Sequence, residues 1–95
     1  MLNWKVKDDG VVGRKAIEAS FADYYFEIIS RKKKAPYTRV TRLDSYQMLI
    51  QHSLYVYKVN GDVKEGVELK TFKFGTRLDK VQNYAKEFVL NELSK

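Results

Sequence analysis

Apolar residues keep helical spacing most clearly in the last quarter of the chain. From Leu78 the positions Val81, Ala85, Phe88 and Val89 fall on one face, with Tyr84 and Leu93 at its margins, so one side can pack on a core while the other stays wet. The start of this segment has a mechanism as well. Thr76 followed three residues later by Asp79 fits a capping box, and Gly75 frees the backbone just before it. The pattern predicts a helix over 77–93.

Upstream the period changes. The run LYVYKV at 54–59 is rich in β-branched and aromatic residues, Asn60-Gly61 is a strong hairpin signal, and Val67 to Phe74 reads as the returning strand. The alternation on the return is imperfect, because Val67 and Leu69 share one parity while Phe72 and Phe74 take the other. A bulge near Thr71 or a shifted register would reconcile them.

The first half admits two readings. Ile17, Phe21, Tyr24 and Ile28 lie at helical spacing across 15–30, whereas YYFEII at 24–29 has the composition of a strand. Two strands, roughly 15–20 and 23–31 with a turn near Phe21 and Ala22, are preferred, because adjacent Tyr24 and Tyr25 crowd a helix but point to opposite faces of a strand. Pro36, the only proline, biases Ala35 toward extended backbone, so Arg31 to Tyr37 is expected to be a loop or a connection between strands. From Thr38 to Leu43 the composition again suits a strand. Residues 44–52 fit either a helical turn capped by Asp44 or the start of a long strand running into Tyr57.

These elements predict an α+β fold, an antiparallel sheet of about four to five strands with one C-terminal amphipathic helix packed on a face. Trp4, Phe26, Ile28, Val56, Leu69, Phe72, Val81, Ala85 and Phe88 are the expected core. With 95 residues, 44% of them apolar and 32% charged, and with no repeat or Gly/Ser linker, one globular domain spanning 1–95 is expected.

Cysteine is absent, which excludes disulfides, thiolate metal sites and a cysteine nucleophile. The opening MLNWKVKDDG lacks the apolar run of a signal peptide, and no run approaches the roughly 20 residues of a membrane span. The cytoplasm is the expected location. Catalysis finds little footing. His52 is the only histidine, and Ser53 beside it cannot easily face it on a strand. One histidine without cysteine leaves only carboxylates for a metal, and Asp8-Asp9 and the pair Glu65 and Glu68 lack calcium-loop spacing. Gly10 and Gly13 in DDGVVGRK miss the phosphate-loop arrangement and read as a turn. Neither an enzyme nor a cofactor is expected.

Charge changes the picture most. The segment RKKKAPYTRVTR at 31–42 holds Arg31, Lys32, Lys33, Lys34, Arg39 and Arg42 and no acidic residue; outside it 12 basic side chains face 12 acidic ones, so the net charge of +6 sits in this one stretch. Lys and Arg neutralise phosphates, and aromatic faces stack bases. Tyr37 lies inside the run, and Tyr55 and Tyr57 alternate on a strand from which both can face solvent. The expected function is therefore a non-enzymatic binding protein for nucleic acid, with Arg31, Lys32, Lys33, Lys34, Arg39 and Arg42 on phosphates and Tyr37 as a stacking group.

The same residues support a second reading. Tyr and Arg are enriched at protein-binding hot spots, and a positive patch steers an acidic partner, so a protein-binding inhibitor or adaptor module is the alternative. Membrane-surface binding ranks below both, because the predicted helix mixes Asp79, Lys80, Lys86, Glu87 and Glu92. Strand edges on so small a sheet make a homodimer plausible.

The early Trp4, short Tyr-rich strands, the Asn-Gly hairpin and the ending FKFGTRLDKVQNYAKEFVLNEL resemble small uncharacterised phage or prophage proteins with a strand-rich front and one C-terminal helix. That resemblance is one of element order and implies no site residues. The succession of strands and a helix also resembles single-strand-binding transcription cofactors, at the level of fold alone and without their sequence signature.

Overall fold

The computed structural model describes residues 2–7, 10, 14–34 and 48–93, with the backbone alone for Lys33, Lys34, Met48, Leu49 and Leu93. The elements follow one another as β1 (Lys5–Lys7), β2 (Arg14–Phe21), β3 (Tyr24–Lys34), β4 (Met48–Asn60), β5 (Val63–Thr71) and α1 (Leu78–Leu93). All neighbouring strands are antiparallel, and their order in the sheet is their order in the chain. The fold is α+β, a five-stranded antiparallel meander with one C-terminal helix.

Short turns fix the register. Phe21 pairs with Tyr24, leaving Ala22 and Asp23 as a two-residue loop in which Ala22 takes a left-handed φ of 52°. Asn60 pairs with Val63, so Gly61 and Asp62 form the loop, with Gly61 at φ 65°. Asn60 therefore ends a strand, and the signs of φ match a turn with glycine at its first central position. The helical reading of 15–30 is overturned: the segment is two paired strands, as preferred, because each strand gains a full ladder with its neighbour.

Two boundaries move. Strand β3 runs to Lys34, so Arg31 to Lys34 is strand where a loop was expected. Proline restricts the residue before it, and here the ladder to β4 persists up to the pair Lys34 and Met48. Residues 48–52 open the long strand β4, one of the two readings; 35–47, with the expected strand from Thr38 and the cap at Asp44, lie outside the described residues.

One face of the sheet receives the helix. Phe26, Ile28, Leu54 and Val56 from the two central strands and Val81, Ala85 and Val89 from α1 form the buried core. Aromatic rings fill its margins edge to face: Phe88 against Tyr24 and Phe26 at 5.8 and 6.2 Å between centroids, Trp4 against Phe26 at 6.5 Å, and Phe72 against Tyr84 at 5.6 Å. Of the expected core, Trp4, Phe72 and Phe88 are partly buried at this edge, and Leu69 is a correction, being 62% exposed. The bulge lies at Gly66–Val67, opposite the step from Val56 to Tyr57, earlier than Thr71. It sets Glu68 opposite Val56 on the helix side and turns Leu69, opposite Tyr55, to the other face. Helix α1 also starts late: the Arg77 carbonyl, rather than that of Thr76, accepts from the amides of Lys80 and Val81. Gly75, at φ 79°, and a turn from Thr76 N–H to the Lys73 carbonyl carry the chain one residue further first.

Candidate functional site

The face of the sheet away from α1 presents alternate residues of every strand. Cross-strand pairing places Lys5 beside Glu18 and Glu27, Ala16 beside Ile29 and Ser53, Arg14 beside Arg31 and Gln51, and Tyr25 beside Ser20 and Tyr57. Strand β5 adds Leu69 next to Tyr55 and Thr71 next to Ser53. Ala16 and Ile29 are buried in its middle by their neighbours, while the tyrosines are half-buried.

Three tyrosines gather at one end. Tyr55 and Tyr57 lie with ring planes 3° apart and centroids 6.4 Å apart, and Tyr25 sits across the strand boundary 6.1 Å from Tyr57. The spacing of two residues along one strand aligns Tyr55 and Tyr57. Gly66 lies beside them without a side chain, and a Cβ there would rest in ordinary contact with the Tyr57 ring at 3.9 Å. A shallow groove of about 310 Å³ results, with Val67 and Leu69 on its far side.

Charged groups hold these rings. Lys64 Nζ lies 4.2 Å from the centroid of Tyr25, a cation on a π face. Lys7 donates to Glu27 at 2.6 Å and to the Tyr25 hydroxyl at 3.2 Å, and that hydroxyl donates to Glu18. The bond to Glu27 raises the Lys7 pKa above the ordinary lysine value. Burial, then the Glu18 bond, raises that of Tyr25, and burial raises that of Tyr57, so both rings stay neutral well above physiological pH.

The expected phosphate contacts divide. Arg31 is on this open face, directly opposite Arg14, a pairing of like charges that an isolated sheet disfavours. Lys32 alternates to the helix side, opposite Ile50. The two nonetheless border one hollow of about 280 Å³ together with Arg14 and Lys15, at the end of β2 and β3. The backbones of Lys33 and Lys34 pair with Leu49 and Met48, and Tyr37, Arg39 and Arg42 lie outside the described residues. Lys5, Lys7, Arg14, Tyr25 and Lys64 escape sequence reasoning because only the pairing register joins them to Tyr55 and Arg31.

His52 is buried on the helix side, with Ser30 Oγ 2.6 Å from its Nδ1. Among the described residues no group of histidine, cysteine or acidic side chains can hold a metal, and no helix is long and apolar enough to cross a membrane. Compared with protein-family models, with curated proteins and with solved structures, the chain matches none of them.

Proposed function

We propose that this protein is a small non-enzymatic binding module that takes single-stranded nucleic acid on the open face of its sheet. The observation that carries the reading is the gathering of Tyr25, Tyr55 and Tyr57 on a face that α1 does not cover, with cations around them. Among the described residues, Lys5, Lys7, Arg14, Arg31 and Lys64 share that face by register with two carboxylates, Glu18 and Glu27, and Lys7 pairs with Glu27. Sequence-tolerant single-strand binding needs this combination of stacking platform and positive field.

Ring spacing favours one strand over two. Stacked bases in a duplex lie ~3.4 Å apart along each strand, whereas Tyr55 and Tyr57 are 6.4 Å apart. The pair suits bases that have been drawn apart. Arg31 and Lys32, with Arg14, would hold phosphates at the far end of the same strands.

Binding of labelled single- and double-stranded oligonucleotides at several salt concentrations tests this. Removing Tyr55 or Tyr57 by substitution with alanine should cost ~1–3 kcal/mol of affinity each. Changing Arg31 and Lys32 to glutamine should make the salt slope shallower by roughly 0.7 for each phosphate that is no longer neutralised. No binding even at low salt would sink the reading. A protein partner is the second reading, favoured by Val67 and Leu69, which stand 47% and 62% exposed beside the tyrosines.

A further inference from the structure

A cavity of about 620 Å³ opens on the helix side of the sheet, where the start of α1 meets β2, β3 and β4. The backbone builds it. After β5 the chain stays laced to β4, Phe72 N–H donating to the His52 carbonyl at 3.0 Å and Gly75 N–H to that of Ile50 at 3.4 Å, before Gly75 turns it toward α1. The walls are apolar: Ile17, Ile50 and Leu78 line the hollow, and Ile50 and Leu78 remain 45% and 36% exposed. An apolar body seated there would cover surface that the fold leaves uncovered.

The polar groups at the same place share one character. Lys15 and Arg77 stand on the lining, and none of the described lining residues is acidic. Arg77 occupies the cap position of α1 through its carbonyl, and its Nε lies 3.5 Å from Asp79 Oδ1 in the first turn, an exposed pair that a ligand carboxylate can displace. His52 also lines the cavity although it is only 7% exposed. Its Nδ1 is taken by Ser30, so Nε2 is the ring nitrogen available to a ligand.

We infer that this cavity binds a small organic anion, a carboxylate on an apolar body, with the body against Ile17, Ile50 and Leu78 and the carboxylate held by Lys15, Arg77 and His52 Nε2. The site lies on the opposite face from the tyrosines and adjoins the hollow of Arg14 and Arg31 through Lys15, Ser30 and Ile50, so substitution of a tyrosine separates it from nucleic-acid binding.

NMR titration of the labelled full chain with octanoate, beside octanol and octylamine, tests it. Octanoate should shift the His52 ring and the Ile50 and Leu78 methyl resonances saturably, and bind ~10-fold or more tightly than octanol, the difference that charge-assisted contacts supply. Octylamine should not bind. The double variant Lys15→Gln, Arg77→Gln, at exposed positions that folding tolerates, should remove the preference for octanoate, and Tyr57→Ala should leave it intact. Equal affinity for all three probes, shifts that never saturate, or an unchanged preference in the double variant would overturn the assignment.

Discussion

His52 is the only histidine in the chain, and burial pushes its pKa below the ordinary 6.5. The sign of the consequence follows from proton counting. Between the two values the unfolded chain takes up a proton that the folded chain refuses, so stability is greatest above about pH 7 and falls as the pH drops through 6.5 and below. Urea unfolding between pH 7.5 and 5.5 should show this loss, and His52→Gln should flatten it; an equally steep slope in the variant would place the titrating group elsewhere. A second residue-scale test lies on the β5 side of the helix. Tyr84 donates to Glu68 Oε1 at 2.6 Å, a bond that is the main cause of its raised pKa, while Glu68 Oε2 is buried without a partner among the described residues. Tyr84→Phe strips the carboxylate of its donor and should destabilise the fold by ~1–3 kcal/mol in denaturant unfolding. Neither contact is legible in the sequence, because Ser30 with His52 and Glu68 with Tyr84 meet only through the folded register.

At the scale of elements, α1 was readable because its 3.6-residue period is local: Val81, Ala85 and Val89 are all buried as the spacing requires. The strands were readable as strands, from the β-branched and aromatic content of 24–29 and 54–59, but their faces were not. A single extra residue at Gly66–Val67 separates the parity of β5 before the bulge from that after it. That is why Leu69 looks like core and is not, while Leu54, fully buried beneath α1, was passed over. Parallel substitutions measure the difference. Leu54→Ala should cost ~2–5 kcal/mol of stability because it opens a cavity between sheet and helix, and Leu69→Ala should stay within about 0.5 kcal/mol. Comparable losses at the two positions in urea unfolding would mean that β5 is paired in another register.

Across the whole molecule, Arg31 of the basic run and the tyrosines stand at two ends of one face. Arg31 is opposite Gln51, four residues before Tyr55 on β4, a separation of ~13 Å at strand spacing. Tyr57 is two residues further on. The sequence announced both groups but not their separation or their common face, since a strand's neighbours are set by pairing rather than by order. Ser53, Thr71 and Gln51 occupy the interval, with Ser53 and Thr71 hydroxyls 3.3 Å apart and the Gln51 amide donating to the Phe72 carbonyl. Beside them on β3, Ile29 is buried at 9% exposure and so does not stand up from the track. A nucleic-acid strand must therefore be long enough to stack on the tyrosines and still reach the arginines before both contribute. Oligonucleotides of two or three residues should engage one end only, and affinity should climb with length to a plateau at roughly 4–6 nucleotides, the lower part of the range for small single-strand sites. In Arg31→Gln the climb should weaken while short oligonucleotides bind as before, and in Tyr55→Ala the short ones should lose most. Affinity that rises only in proportion to length, with no plateau and no distinction between the two variants, would mean a diffuse electrostatic attraction and no defined track along β3 and β4.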